Sequence, residues 1–162
     1  MNMKTYLTDD ILKFWVENSI DKENGGIFTS LDRDGSVYGT DKSVWFQGRA
    51  LWTFSKAYNM VEKKEEYLSF AKSLYEFLPK CTDTDGRMFF SVTAQGCELQ
   101  KRRYYYSETF AAIGCAEYYK ATGDKAVLAD AEKYFDVAYS LYKNPELSTP
   151  KFNPQNAPYK AV

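Results

Sequence analysis

The sequence predicts an all-α fold, an incomplete α/α toroid with short β-hairpins between its helices, and three observations predict it. Helices that are apolar around most of their circumference alternate with amphipathic ones. A short hairpin pattern precedes each of the fully apolar helices. The whole unit recurs at roughly sixty residues, which is how helix pairs that stack side by side are written in sequence.

Residues Thr5 to Asn18 place Leu7, Ile11, Phe14 and Trp15 on one face at helical spacing, so the first helix is amphipathic and belongs on the outside. Asp21 to Gly26 stops it. Ile27 to Leu31, the turn residues Asp34-Gly35 and then Val37-Tyr38 read as a short hairpin. From Ser43 to Asn59 the helix carries Val44, Trp45, Phe46, Ala50, Leu51, Trp52, Phe54, Ala57 and Tyr58, apolar on so many sides that it must be an inner one.

The next helix, about Lys64 to Leu78, shows only one apolar side, with Tyr67, Phe70, Ala71, Leu74 and Leu78. It ends at Pro79, which has no N–H to continue the ladder. Asp83 to Gly86 then opens a second hairpin, Arg87 to Val92 returning near Gln95-Gly96 into Cys97-Glu98-Leu99. An inner helix follows from about Ser107 to Lys120. Thr122-Gly123-Asp124 leads into a last amphipathic helix with Val127, Leu128, Ala131, Tyr134, Phe135, Ala138 and Leu141 on its apolar side.

Five helices cannot close a ring. The tail from Ser148 to Val162, with Pro150, Pro154 and Pro158, is therefore expected to connect to something that follows, and residues 1–162 are expected to be a single but incomplete domain.

Bulk composition narrows the partners. An apolar share of 44% in 162 residues fits one globular domain, and 21 basic against 22 acidic residues leave no large net field over the whole molecule to draw nucleic acid or anionic lipid. An aromatic share of 17% either fills a large helical core or lines a pocket for a small neutral sugar, whose C–H faces stack on rings while its hydroxyls reach polar tips.

The chain has no histidine, which excludes Ser-His-Asp and Cys-His nucleophile systems and His-rich metal sites. Carboxylates, Lys, Tyr and Cys remain as proton carriers. Cys81, Cys97 and Cys115 are odd in number and far apart, so a disulfide framework or zinc ribbon is not expected and a reducing cytoplasm is. The stretch Met1 to Tyr6 lacks the apolar run of a signal peptide, so none is expected, and no stretch approaches the run of about 20 apolar residues of a membrane span.

Within the inner helices two segments carry polar groups. Lys42 to Trp52 sets Gln47 and Arg49 on an otherwise apolar helix. The arginine there is either satisfied by a core carboxylate or offered at the ring centre as a fork of donors to a sugar carbonyl or hydroxyls. In Tyr104 to Phe110, Ser107 is placed to cap the second inner helix. Glu108 falls in its first turn, where the helix dipole favours an acid; it is free to pair with Arg49 or to bind substrate hydroxyls.

The run Lys42 to Trp52, preceded by Asp32-Arg33-Asp34-Gly35-Ser36-Val37-Tyr38, is similar to the inner-helix motif of the N-acylglucosamine 2-epimerase family. Tyr106-Ser107-Glu108-Thr109-Phe110-Ala111 resembles its later motif, and the match runs in order along nearly the whole chain. It looks closer to the N-acylglucosamine enzymes than to the cellobiose 2-epimerase or aldose–ketose isomerase relatives.

The resemblance implies an (α/α)6 barrel that interconverts N-acetyl-D-glucosamine and N-acetyl-D-mannosamine by removing and returning the C2 proton of the open-chain sugar. Arg49 matches the family's active-site arginine, whose implied role is to steady the carbonyl oxygen as an enolate forms. Tyr38, Trp45, Gln47 and Glu108 are the expected substrate-binding residues, and no cofactor or metal is expected. The family's two catalytic histidines lie in the other half of the barrel and have no counterpart here, so the chain is expected to be an amino-terminal portion, inactive alone. Its exposed inner face would favour association of copies.

Two other classes stay open: a carbohydrate-binding or scaffolding module without catalysis, and a toroidal glycoside hydrolase working through paired carboxylates. Weaker signals are set aside. No phosphate-binding loop is present, Asp32-x-Asp34-Gly35 and Asp83-x-Asp85-Gly86 read as turns rather than calcium loops, and Lys101-Arg102-Arg103 reads as a solvated loop.

Overall fold

The computed structural model describes residues 2–101 and 104–147; Arg102, Arg103 and the expected connecting tail 148–162 lie outside the described residues. Five helices follow one another as expected. Helix α1 (residues 3–18) starts with one turn, Met3–Thr5, widens into a π-helical stretch, Tyr6–Leu12, and finishes as Lys13–Asn18. Helical spacing alone does not forecast that widened stretch. The inner helices are α2 (Val44–Met60) and α4 (Tyr106–Thr122), and the outer ones after α1 are α3 (Glu65–Phe77) and α5 (Lys125–Lys143).

The helix ends follow local chemistry. Asp124 caps α5 by accepting the Ala126 N–H at 2.8 Å, and Gly123 closes α4 in the left-handed region at φ 70°. After α3 the chain does not simply stop at Pro79: it tightens into a 3₁₀ turn, Leu78–Cys81, which a proline tolerates near its start.

Strand pairing departs from two separate hairpins. β1 (Ser30–Leu31) pairs with β2 (Val37–Gly39) across a bulge, as a short version of the first hairpin. The residues before α2, however, form a strand β3 (Lys42–Ser43) that joins β4 (Ser91–Val92) and β5 (Glu98–Gln100) in one antiparallel sheet, in the order β3-β4-β5. Lys42 lies opposite Val92 and Ser43 opposite Ser91, so the first unit lends a strand to the second.

The core lies between α2, α3 and α4. Phe54 meets Phe70 with centroids 3.9 Å apart and Tyr67 at 5.9 Å, and Leu51, Leu74, Ala111 and Cys115 are fully buried around them. Each buried Leu or Phe contributes about 1.5–3 kcal/mol relative to exposure, which makes this stripe the main source of cohesion. Burial also pushes the Cys81 and Cys115 thiols up to about 12, so both behave as packing rather than as nucleophiles.

Lys42 is the unexpected part of that interior. Its ammonium is wholly buried, 2.7 Å from the Asp21 carboxylate, 2.7 Å from the Gly25 carbonyl and 2.9 Å from the Ala94 carbonyl, with the Phe77 ring centroid at 4.3 Å. Asp21 in turn accepts the Glu23 and Asn24 backbone N–H groups, each at 3.0 Å. One ion pair thus ties the turn after α1, the strand before α2 and the second hairpin.

Burial alone would raise the Asp21 pKa, but the Lys42 ammonium and the Asn24 donors outweigh it and bring it down to about 2. A carboxylate whose folded pKa lies below its unfolded one stabilises above the unfolded value, and that contribution disappears as pH falls through the folded value. We therefore expect Asp21 to contribute about 2 kcal/mol that is present above about pH 4 and lost on acidification to about pH 2. Urea unfolding at pH 5 and pH 2.5 checks this: Asp21→Asn should flatten the acid loss, and an unchanged slope would count against the pair.

Candidate functional site

The first two turns of α2 send neighbouring side chains in different directions. At about 100° per residue Trp45 and Arg49 share a face, and Gln47 points away from it. The shared face is the one that meets α4. There Trp45 lies edge-on to Phe90 at 5.2 Å and to Tyr106 at 5.3 Å, with Phe110 at 6.2 Å. Arg49 is exposed, and its guanidinium is 5.5 Å from the Phe46 ring centroid and 5.4 Å from that of Phe110. Tyr106 and Phe110, one turn apart on α4, complete a wall of rings against the one on α2.

Two glycines let the helices come this close. A Cβ on Gly48 would sit 2.7 Å from the Phe110 carbonyl carbon and 2.9 Å from the Ala111 nitrogen, and one on Gly114 would sit 2.7 Å from the Gly48 oxygen. Backbone thus rests on backbone where α2 crosses α4, which sets the separation of Arg49 and Phe110. On its other side Arg49 borders a cleft of about 170 Å³ between α1 and α2, lined chiefly by Ile11, Trp15, Phe46, Ala50 and Thr53.

Of the five residues expected from the sequence, the structure brings Trp45 and Arg49 together. The alternative that Arg49 answers a core carboxylate is not what is found: among the described residues none makes an ion pair with it. Gln47 is fully buried, and both ends of its amide are taken by one residue: its Oε1 accepts the Ile27 N–H and its Nε2 donates to the Ile27 carbonyl, each at 2.9 Å. It clamps the first hairpin to α2, and the close fit of Gly26, whose Cβ would lie 2.7 Å from that Oε1, leaves no room for anything else. Tyr38 stands apart on β2, 75% exposed.

Glu108 pairs with Arg87, not Arg49. Its Oε1 accepts Arg87 Nε at 2.7 Å and the Met88 N–H at 2.9 Å, and its Oε2 is buried without a hydrogen-bond partner among the described residues. Ser107 is not a cap either, because α4 begins one residue earlier; its hydroxyl donates to the Phe89 carbonyl at 2.9 Å. Asp83 and Asp85 share the Lys101 ammonium at 2.6 Å each, so the second Asp-x-Asp-Gly turn already holds a cation of its own.

Sequence reading did not single out Phe90, Phe110 or Arg87. The signal for Phe110 was available: Tyr106 and Phe110 have the same four-residue spacing as Trp45 and Arg49 and lie on the other inner helix. Chemically, the arrangement offers a forked cation held between rings, able to bind a carbonyl or hydroxyl oxygen and to meet negative charge growing on it.

The family model described as N-acylglucosamine 2-epimerase (GlcNAc 2-epimerase) matches residues 26–161. The N-acylglucosamine 2-epimerase of Rattus norvegicus is 35% identical over 133 residues, 79% of this chain and 32% of its own length. The cellobiose 2-epimerase of Dictyoglomus turgidum is 34% identical over 143 residues, 86% of this chain and 36% of its own. Identity does not separate the two groups.

Among solved structures, a sugar epimerase from a ruminal bacterium superposes with a TM-score of 0.75 at 33% identity, covering 82% of this chain and 34% of that one. The cellobiose 2-epimerase from Bacillus thermoamylovorans superposes at 0.77 with 30% identity, covering 96% and 38%. The chain spans about a third of the length of these relatives. Its fold is part of an (α/α)6 barrel with short hairpins between the helices.

Proposed function

The chain belongs to the N-acylglucosamine 2-epimerase family, and from that premise we propose that it supplies the arginine side of a sugar 2-epimerase site acting on N-acetyl-D-glucosamine and N-acetyl-D-mannosamine. The observation that carries this is the exposed Arg49 guanidinium held between the Phe46 and Phe110 rings beside Trp45. In this reading the sugar ring's C–H face lies on the aromatic wall. Arg49 donates to the C1 carbonyl oxygen of the open-chain form, where charge collects once the C2 proton leaves.

The proton carriers are proposed to be the family's two histidines, in the part of the relatives' length that this chain does not span. With no histidine of its own, the chain alone is proposed to bind sugar without epimerising it. A cytoplasmic setting fits its free cysteines, and no helix among the described residues is long and apolar enough to cross a membrane. Association of copies through the exposed rings of the inner helices, Phe46, Trp52 and Tyr106, is part of the same proposal; sedimentation velocity would check it.

Titration with N-acetylmannosamine, followed through tryptophan fluorescence, tests the binding half. Arg49→Ala should fold normally, being exposed, and bind roughly tenfold to a hundredfold more weakly, the worth of a charged hydrogen bond. Equal binding by the variant would remove Arg49 from the site. Deuterium uptake at C2 in D2O by the chain alone would refute the assignment of proton transfer elsewhere.

A further inference from the structure

We infer that Arg87 is a positioning residue for the sugar site: through Glu108 and the Tyr104 carbonyl it fixes the tyrosine run 104–106 as a preformed wall beside Trp45. The inference rests on the reading of that site as sugar-binding.

It comes from comparing the two structural units. In the first, Gln47 accepts the N–H of Ile27, twenty residues earlier; in the second, Glu108 accepts the N–H of Met88, also twenty residues earlier. The two side chains do the same task at matching places, each holding a hairpin to its inner helix. They differ in what they give back. The Gln47 amide donates to the Ile27 carbonyl, whereas Glu108 leaves Oε2 buried with no hydrogen-bond partner among the described residues.

A carboxylate is thus the poorer clamp, since a buried acceptor without a donor forfeits solvation. What the acid adds is a charge. The residue just before Ile27 is Gly26, which packs against Gln47 and has no side chain to hold; the residue just before Met88 is Arg87, whose Nε lies 2.7 Å from Glu108. Acid and arginine come together in the second unit and neither has a counterpart in the first.

The fork of Arg87 then explains why the pair is there. While Nε binds Glu108, Nη2 reaches the Tyr104 carbonyl at 3.3 Å. Tyr104 and Tyr105 pack on Tyr106 at 5.8 and 6.0 Å, and Tyr106 lies edge-on to Trp45 at 5.3 Å. A planar fork can hold a carboxylate and a carbonyl at once, where an ammonium is a single point. Arg87 therefore transmits the fixed place of Glu108, at the root of α4, to the rings facing the sugar.

The test variant combines Arg87→Met with Glu108→Gln, which restores the neutral clamp already used in the first unit and keeps the fold within reach. Two readouts follow: the near-ultraviolet circular dichroism of the Trp45 and tyrosine cluster, and N-acetylmannosamine titration. The expected result is a urea midpoint near wild type, a weakened aromatic band and sugar binding roughly threefold to tenfold weaker. Arg87→Lys, which keeps the ion pair but cannot span to Tyr104, should lose affinity in the same way.

A folded double variant with unchanged spectrum and unchanged affinity overturns the inference; if the double variant does not fold, the same result in Arg87→Lys does so. A wild-type chain that takes up no sugar overturns the site reading instead, and the aromatic band then decides by itself whether Arg87 orders the tyrosines.

Discussion

Lys42→Met is expected to lower the free energy of unfolding by about 3–5 kcal/mol, because it removes one partner of a buried ion pair and leaves the other. Asp21, 3% exposed, would keep its charge with no cation beside it, and the Gly25 and Ala94 carbonyls would each lose a donor. Since whole domains are stable by only about 5–15 kcal/mol, the variant should lose a large part of its stability. Urea denaturation gives the number.

The companion experiment adds Asp21→Asn. The amide oxygen can still accept the Glu23 and Asn24 N–H groups that Asp21 Oδ1 accepts now. Replacing both charges should therefore recover part of the loss. Equal instability of the single and double variants would mean that Lys42 acts through its two carbonyl contacts rather than through Asp21.

The second large effect is expected at the helix crossing. Gly48→Ala places a methyl group 2.7 Å from the Phe110 carbonyl carbon, which is backbone and cannot rotate aside. Overpacking of this kind costs about 1–3 kcal/mol when the surroundings can shift, and more when they cannot. The only relief is to move α2 and α4 apart, which also draws Arg49 away from Phe110. Gly48→Ala should thus lose both stability, seen by thermal melting, and sugar affinity. Normal affinity with reduced stability would show that the pocket does not depend on this crossing.

Helices were legible because their apolar period is local. Trp45 and Arg49 could be placed together from spacing alone, since four residues make one turn. The contacts that failed to show are those between distant segments. Nothing local marks Lys42, ahead of a helix, and Asp21, in a turn, as a pair; only the fold brings them within 2.7 Å and puts both out of water.

Gln47 was read as a ligand to substrate because a polar group on an apolar helix needs a partner, which is sound. That partner is the backbone N–H and carbonyl of Ile27. Glu108 obeys the same rule with Arg87, a hairpin residue 21 positions earlier that helical spacing cannot point to. The widened stretch of α1 and the strand at Lys42–Ser43 likewise depend on what packs against them.

The strand that the first unit lends to the second also has a consequence in time. Lys42 takes one of its carbonyls from Ala94, and β3 takes its partner from Ser91–Val92, some fifty residues downstream. On a ribosome, α1 and α2 emerge well before either exists. Until the second hairpin is out, Lys42 has Asp21 and Gly25 but lacks its Ala94 acceptor, and an open strand edge stands where the finished interior will be. The first unit is therefore expected to complete its interior only once the second has been made. A nascent chain halted before Ser91 should be digested readily by protease, whereas one halted with Gln100 clear of the exit tunnel should begin to resist.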